Sequence, residues 1–336
     1  MRDDLHRPED AWQALWISFQ RALRAGTQTS TGKPASIATL RSYGETNDQF
    51  HRFLMEHNYS TNPVEVQKKQ IEEFLIELRE RKAEKTGERI KPATVRCRFS
   101  ALRKFFNWLE EEEEIDRSPM DRMRGPKVDE DPPEVLSDDE LQAFLNACKG
   151  REFEDRRDAA LIRLMMDTGL RRGGIVSMTV EDTNVDKQVA RVHTKGDRFL
   201  MVPFGAKTAA ALDRYLRIRP SHYYAKLVTE GPDGEPGHPL WLSQKGYLRG
   251  DGVHHLIQRR AKMANIRINL EGKTGVHPHM FRHTFAHLWK KAGGSEEDLM
   301  QIGGWRDRKV MARYGASAAE ARAREAHRRL SLGDRL

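Results

Sequence analysis

A proline-rich segment divides this chain and limits what it can fold into. Residues 116–134 contain four prolines and a glycine, which are Pro119, Gly125, Pro126, Pro132 and Pro133. These are too many helix breakers for one continuous helix or strand. The full length of 336 residues also suggests about two domains. We therefore predict that residues 116–134 are a linker between two domains.

Ahead of the linker, residues 36–115 are predicted to form a small helical domain. Apolar residues recur there at spacings of three and four, which is typical of buried helix faces. The clearest stripe consists of Phe99, Leu102, Phe105, Phe106 and Leu109. Residues 1–35 contain one short helical pattern and then a breaker-rich run, so we expect an N-terminal extension there.

Behind the linker, residues 135–330 are predicted to form the second domain, followed by a tail over residues 331–336. Ser137 and Glu140 have the spacing of a helix capping box. Between residues 188 and 204, β-branched residues alternate loosely and are interrupted by Lys195-Gly196-Asp197. This pattern indicates a β-hairpin with its turn at the lysine. The predicted fold class is mainly α, with an α+β second domain that carries a small antiparallel sheet.

The charge of the chain favours a polyanionic partner. There are 58 Lys and Arg against 50 Asp and Glu, and the isoelectric point is about 9.4. Nucleic acid and a membrane surface are the two candidate partners. Between Leu75 and Lys104 there are ten Lys or Arg and four Glu, which indicates either a phosphate-contacting face or a solvated helix face. The candidate DNA-binding residues are Arg96, Arg98, Arg103 and Lys104.

Several protein classes are excluded by the sequence. No stretch approaches the roughly 18 apolar residues that span a bilayer, and the first ten residues lack the apolar core of a signal peptide. Cys97 and Cys148 are far apart and support neither a disulfide framework nor a Cys-rich zinc module. We expect an intracellular, cytoplasmic protein associated with the nucleoid.

Six residues of the second domain together suit an attack on a phosphodiester without a metal. Arginines can clamp the non-bridging oxygens and neutralise the charge that develops on them. A tyrosine hydroxyl needs a base or hydrogen-bond partner, which a histidine can supply, and a lysine can protonate the leaving alkoxide. The six candidate catalytic residues are Arg171, Lys195, His279, Arg282, Trp305 and Tyr314.

In their order and spacing these residues resemble the tyrosine recombinase family, also called phage-type integrases. The segments are DTGLRRGGI around the first arginine, HTKGDR around the lysine and HPHMFRH around His279 and Arg282. In the last segment, GGWRDRKVMARYG, Trp305 precedes Tyr314 by nine residues. The resemblance covers roughly residues 36–330, including a helical core-binding domain ahead of the catalytic one.

The resemblance implies a mechanism. Tyr314 would attack the scissile phosphate and form a 3′-phosphotyrosyl enzyme, and Lys195 would protonate the leaving 5′-oxygen. The other four residues would hold the transition state. Strand exchange would proceed through a Holliday junction without a metal, another cofactor or ATP. The implied role is integration or excision of a mobile element, although cassette exchange and dimer resolution stay open.

The resemblance also implies partners. The enzyme would be a homotetramer on two specific double-stranded core sites, and a monomer off DNA. Its two domains would form a C-shaped clamp, and an accessory directionality factor is a further expected partner. A helix over residues 316–330 would dock onto a neighbouring protomer. Because about 35 residues precede the helical domain, we expect no separate arm-binding domain.

Two positions depart from the family pattern, and three alternatives stay open. Gly174 stands where members often have Glu or Asp, and Gly303-Gly304-Trp305 replaces Leu-Gly-His.

Gly174 gives some weight to a DNA-binding regulator without catalysis. The helical spacing of His279, His283 and His287 suits a zinc hydrolase, but Arg282 lies between them. A type IB topoisomerase would share the phosphotyrosyl chemistry.

Overall fold

The computed structural model describes residues 8–30, 32–82, 87–128, 133–194, 198–229 and 237–305, and beyond those only residues 307, 308, 311, 314, 323, 324, 327, 328 and 331. The chain divides into two compact units, Met1–Glu130 and Asp131–Leu336. Both are built mainly from helices, which confirms the predicted fold class. Within the described residues, no helix is long and apolar enough to cross a membrane.

The described residues of the first unit form four helices and one short 3₁₀ turn. The helices are α1 (Pro8–Ala25), α2 (Ile37–Glu56), α3 (Lys68–Glu80) and α4 (Pro92–Glu111), and the 3₁₀ turn is Pro63–Glu65. Local sequence sets the helix starts. The Ser36 hydroxyl accepts the backbone N–H of Thr39 at 3.2 Å and caps α2. Pro92 opens α4 at a position where its missing N–H would have had no helical partner.

Helix α1 is built into the core of this unit. Trp12, Trp16 and Phe19 are buried, and their ring centroids lie 5.8, 5.5 and 5.4 Å from that of Phe105 in α4. The indole N–H of Trp12 donates to Asn47 Oδ1 at 2.9 Å. The segment that we expected to be an N-terminal extension therefore supplies one of the four helices, because its aromatic stripe completes the apolar core.

The first part of the predicted linker also packs into the first unit. Met120 and Met123 are buried in its core. The backbone N–H of Ser118 donates to the carboxylate of Glu110 at 3.2 Å. The Arg103 guanidinium donates to the backbone carbonyls of both methionines. The prolines end the helical pattern, but the chain then folds back onto α4 before it leaves the unit.

The other helices of the described residues lie in the second unit. They are α5 (Asp138–Asn146), α6 (Phe153–Thr168), α7 (Arg172–Val176), α8 (Ala206–Ile218), α9 (Gly250–Met263), α10 (Pro278–Lys291) and α11 (Glu296–Gly303), with a 3₁₀ helix at Tyr223–Leu227. The predicted capping box is confirmed at the start of α5. Ser137 Oγ accepts the Glu140 N–H at 3.2 Å, and the Glu140 carboxylate accepts the Ser137 N–H at 2.8 Å.

A small antiparallel sheet lies beside these helices. Its strands are β1 (Thr183–Asn184), β2 (Val189–Thr194) and β3 (Arg198–Pro203), hydrogen-bonded in the order β1-β2-β3, and a separate pair is formed by β4 (Leu242–Ser243) and β5 (Gly246–Tyr247). The predicted hairpin is confirmed, with Val192 opposite Leu200. Val192 and Val202 are buried, whereas Phe199 and Met201 are exposed. One face of the hairpin therefore covers the core.

A buried carboxylate ties α6 to α9. Asp158 of α6 has no exposed surface, and it accepts hydrogen bonds from Arg157 at 2.8 Å and from Arg259 and Arg260 at 2.7 Å each. Arg260 also donates to Asp155 at 3.0 Å. A buried charge is tolerated when it is paired and hydrogen-bonded in this way. The network fixes α6, whose C-terminal end supports the candidate active site.

Candidate active site

Arg171 lies in a tight turn between two helices. Helix α6 ends at Gly169, whose φ of +58° is in the left-handed region that favours glycine. A Cβ at Gly169 would lie 2.9 Å from Cγ of Phe285, too close for the present packing. Arg171 then adopts an extended conformation just before α7, with its side chain exposed. The helix break therefore presents this arginine to solvent.

Arg282 lies in α10 and is almost completely buried, with 1% of its surface exposed. Its Nη1 donates to the backbone carbonyls of Gly169 at 2.8 Å and Gly303 at 2.7 Å. These carbonyls are at the C-terminal ends of α6 and α11, where they have no partner within their own helix. The same helix ends carry partial negative charge, which suits a cation. Two helix ends therefore hold the guanidinium in place.

The Gly303-Gly304 pair lets the chain fold back over the end of α11. Gly304 has φ of +63° and caps the helix. A Cβ on Gly303 would overlap the ring of Trp305. The Gly304 carbonyl accepts a hydrogen bond from Arg171 Nη1 at 3.1 Å. Two consecutive carbonyls therefore hold the two arginines of the site.

Trp305 stacks on the buried arginine. Cζ of Arg282 lies 3.4 Å from the centroid of the Trp305 ring, within the range of a cation–π interaction. The indole itself is 6% exposed. The tryptophan thus contributes a flat surface that keeps the guanidinium plane fixed, in addition to any hydrogen bond from its N–H.

The two arginines create a positively charged site. Burial first, and the charge of Arg171 second, lower the pKa of Arg282 to about 9. Both guanidinium groups donate to backbone carbonyls. Nη2 of Arg282 is buried and has no acceptor in the described part of the chain. Unused donors between converging positive charges match an oxyanion such as phosphate.

His279 lies on the same face of α10 as Arg282, one turn earlier. Desolvation by the surrounding protein lowers the pKa of His279, and the nearby charges of Arg282, His277 and Arg171 lower it further. The imidazole is therefore neutral at neutral pH. A neutral imidazole can donate one hydrogen bond and accept another.

Tyr314 is buried beside this site, with 4% of its surface exposed. It packs in a small apolar cluster whose buried members also include Phe285, Leu299, Trp305 and Met311. Lys290 Nζ of α10 donates to the Met311 carbonyl at 2.7 Å. The ring centroids of Tyr314 and Trp305 are 6.0 Å apart. Met311 and Tyr314 are therefore held against α10 and α11.

His283 contacts the tyrosine hydroxyl, and we did not predict this role from the sequence. Its Nδ1 lies 2.8 Å from Tyr314 Oη. Its ring is also nearly perpendicular to that of His279, with 4.5 Å between the centroids. In the sequence His283 enters only as a potential zinc ligand. Its position four residues after His279, on the same helix face, was the available signal.

Five of the six predicted catalytic residues lie at one place in the second unit. They are Arg171, His279, Arg282, Trp305 and Tyr314. Lys195 lies outside the described residues, although β2 ends at Thr194 and β3 begins at Arg198. The predicted docking helix over residues 316–330 also lies largely outside the described part of the chain.

Three of the four candidate DNA-binding residues make contacts within the first unit. Arg98 donates to the Ser42 carbonyl at 2.9 Å and to Glu45 at 3.0 Å, and its side chain is only 11% exposed. Arg103 bonds to backbone carbonyls and lies over the Phe99 ring. Arg96 is exposed but donates to the Pro126 carbonyl at 2.9 Å. Lys104 is half-buried on the same helix.

Gly174 lies in α7 and faces the hairpin. A Cβ there would lie 3.1 Å from Cγ1 of Val192 in β2. The carbonyl of Gly174 accepts a hydrogen bond from the Ser177 hydroxyl at 3.1 Å. A carboxylate side chain at this position would therefore require Val192 to shift by a few tenths of an ångström.

The zinc alternative gains no support from the geometry. No group of three or more His, Cys, Asp or Glu side chains is placed to hold a metal ion within the described residues. His279 and His283 instead pack edge to face, and His283 contacts the tyrosine hydroxyl.

A family model described as the phage integrase family matches residues 134–321, more than half of the chain. The chain belongs to this family. It is 24% identical over 283 residues to "Tyrosine recombinase XerC" of Syntrophus aciditrophicus (strain SB), covering 84% of this chain and 87% of that relative. It is also 29% identical over 258 residues to the protein of the same name from Thermodesulfovibrio yellowstonii (strain ATCC 51303 / DSM 11347 / YP87), covering 76% and 78%.

The fold is shared with solved recombinases. A XerH site-specific recombinase bound to palindromic difH substrate aligns with a TM-score of 0.68 at 16% identity, covering 97% of this chain and 99% of that one. The Tn1549 transposon integrase in complex with transposon right end DNA aligns with a TM-score of 0.66 at 19% identity, covering 96% and 99%. The family match and the XerC relatives identify the chain as a tyrosine-type site-specific recombinase.

Proposed function

We propose that Tyr314 is the nucleophile and that the site around Arg282 binds the scissile phosphate. The observation that carries this proposal is the unused Nη2 donor of Arg282, buried in the same site as the tyrosine ring. A buried donor without an acceptor is costly, so its retention indicates that a ligand supplies the acceptor. A phosphate oxygen has the required charge and geometry.

Each residue of the site has a role in this proposal. Arg171 and Arg282 bind the non-bridging oxygens and stabilise the charge that develops on them. His279, as a neutral imidazole, and the indole N–H of Trp305 each donate a hydrogen bond to the same phosphate. The Tyr314 oxygen attacks phosphorus and releases the 5′-oxygen, which takes a proton from Lys195. The product is a 3′-phosphotyrosyl linkage.

The linkage keeps the energy of the phosphodiester, so rejoining needs neither ATP nor a metal. A 5′-hydroxyl from a partner duplex attacks the phosphotyrosine, and two such exchanges proceed through a Holliday junction. We propose that a homotetramer on two core sites performs them. Residues 36–115, together with the helix ahead of them, would form the core-binding domain, and residues 135–330 the catalytic domain.

The proposed biological role is integration or excision of a mobile element. The likeness to the Tn1549 transposon integrase supports it. The test is to map, by sequencing of covalently bound DNA, where the recombinase is linked in its own genome. Linkage at sites flanking its own gene supports the proposal. Linkage confined to one distant chromosomal site would contradict it.

The nucleophile is tested by trapping the intermediate. Nicked duplexes carrying DNA that flanks the gene are end-labelled, incubated with the recombinase in EDTA and denatured with SDS. We expect a covalent adduct that disappears in Tyr314→Phe. The control Tyr223→Phe, at a tyrosine that is 58% exposed, should keep the adduct. An adduct that persists in Tyr314→Phe would refute the assignment, as would bound DNA without any adduct.

A further inference from the structure

We infer that His283 is the general base that takes the proton of the Tyr314 hydroxyl during cleavage and returns it during rejoining. The inference rests on the proposed function and adds a catalytic residue to it. Its basis is a direct contact, since Nδ1 of His283 and Oη of Tyr314 are 2.8 Å apart. This is the distance at which a base acts on the group whose proton it removes.

His283 contacts the nucleophile, whereas the two arginines contact backbone carbonyls at helix ends. Arg171 and Arg282 converge at the ends of α6 and α11. His283 lies one turn after His279 on the same face of α10, and its Nδ1 contacts the tyrosine hydroxyl. His279 is one turn earlier, and its pKa is lowered first by burial and then by the charges of Arg282, His277 and Arg171. The structure thus places one histidine near the arginines and the other on the nucleophile.

Burial makes a base valuable at this position. Tyr314 is 4% exposed, so bulk water has little access to its hydroxyl. A neutral phenol is a weak nucleophile and is activated by an adjacent base. The nearby positive charge of Arg282 then stabilises the oxygen as the proton leaves, consistent with the electrostatic interaction between these two groups.

Cleavage and rejoining each break one bond to phosphorus, form another and transfer two protons. In cleavage, the bond between Tyr314 Oη and phosphorus forms and the bond from phosphorus to the 5′-oxygen breaks. The tyrosine proton passes to Nδ1 of His283, which becomes an imidazolium, while the leaving oxygen receives its proton from the general acid. In rejoining, the incoming 5′-hydroxyl loses its proton to that acid group, and His283 protonates the departing tyrosine.

The first test replaces His283 by asparagine. The amide oxygen of His283→Asn can accept a hydrogen bond near the position of Nδ1, but it cannot take up a proton. Single-turnover cleavage of a nicked duplex should slow by about a hundredfold or more, the usual contribution of a general base. DNA binding, measured in the same preparation, should stay unchanged. His287→Asn, one turn further along α10, is the matched control and should cleave at the wild-type rate.

Two chemical substitutions show which proton is involved. A duplex with sulfur in place of the bridging 5′-oxygen has a leaving group that needs no acid. It should rescue Lys195→Ala but leave the loss in His283→Asn unchanged. A ring-fluorinated tyrosine at position 314 ionises more readily and depends less on a base. With it, the loss caused by His283→Asn should shrink at least tenfold.

The outcomes separate this inference from the proposed function. If the unchanged recombinase forms no adduct, the proposed function itself fails. If it forms the adduct and His283→Asn cleaves within threefold of the wild-type rate, His283 only holds the ring and the inference is overturned. An equal loss with ordinary and fluorinated tyrosine overturns it as well. Should the asparagine variant fail to bind DNA, His283→Gln is measured with the same substrates and judged by the same criteria.

Discussion

Replacement of Gly169 by alanine should destabilise the second unit and disturb its active site together. The residue has φ of +58°, and a side chain in this left-handed conformation costs about 1–2 kcal/mol. The added Cβ would lie 2.9 Å from Cγ of Phe285, and overpacking of this kind costs about 1–3 kcal/mol. Alanine also restricts the unfolded chain, which stabilises the folded state by about 0.4–1 kcal/mol. The net loss in free energy of unfolding is therefore about 1–5 kcal/mol.

A glycine four residues later provides the matched control. Gly173 has no positive φ, and a Cβ there would meet no heavy atom within 4 Å. Gly173→Ala should leave the unit unchanged or stabilise it by up to about 0.5–1 kcal/mol, because alanine favours the helix. Native-state hydrogen exchange of amides in α6 and α10 measures the opening free energy of this unit within the full chain.

The same substitution should affect catalysis because the Gly169 carbonyl accepts a hydrogen bond from Arg282. We expect Gly169→Ala to slow adduct formation even under conditions where the protein is fully folded. A change in opening free energy below about 0.5 kcal/mol, or an equal loss in Gly173→Ala, would refute this reasoning.

Three further predictions concern the arginines and the histidine. Arg282→Lys should lower the cleavage rate at least a hundredfold while DNA binding persists, because a single ammonium cannot replace the two-pronged guanidinium. Adduct yield at saturating protein measures the cleavage. Cleavage near the wild-type rate would contradict the prediction. Arg98→Ala should destabilise the first unit by about 1–3 kcal/mol, since it removes an internal hydrogen-bonded cation. Lys104→Ala should leave stability unchanged and reduce the salt dependence of DNA binding by about one unit of slope. An Arg98→Ala protein of full stability would contradict the first expectation. The pKa of His279 is lowered in the folded state, so the unfolded chain binds the proton of this histidine more readily. The free energy of unfolding should therefore fall as the pH falls below the unfolded pKa of about 6.5, and His279→Gln should remove part of this pH dependence. Identical pH dependence of stability in both proteins would refute the assigned direction.

Local patterns predicted the helices and the hairpin because both depend on nearest neighbours along the chain. The stripe that contains Phe105 repeats with the helical period, and the strands on either side of the hairpin turn alternate between buried and exposed residues. The role of α1 could not be predicted in this way. Its apolar face shows that it packs against something, but its partner in α4 lies about 90 residues away along the chain.

The site residues were predictable as a set, because their types and order indicate phosphate chemistry. Their supports were not, because Gly169, Gly303 and Gly304 act through backbone carbonyls that every residue possesses. The contact between His283 and Tyr314 joins positions 31 residues apart, and no local pattern encodes it. These long-range contacts position the site residues relative to one another.

The nucleophile can be identified directly from the covalent product. The adduct formed on a nicked duplex is digested with protease, and the peptide that stays linked to DNA is sequenced by mass spectrometry. We expect a phosphodiester on Tyr314, within the peptide that follows Trp305. Linkage to any other residue, or cleaved DNA without a linked peptide, would contradict it.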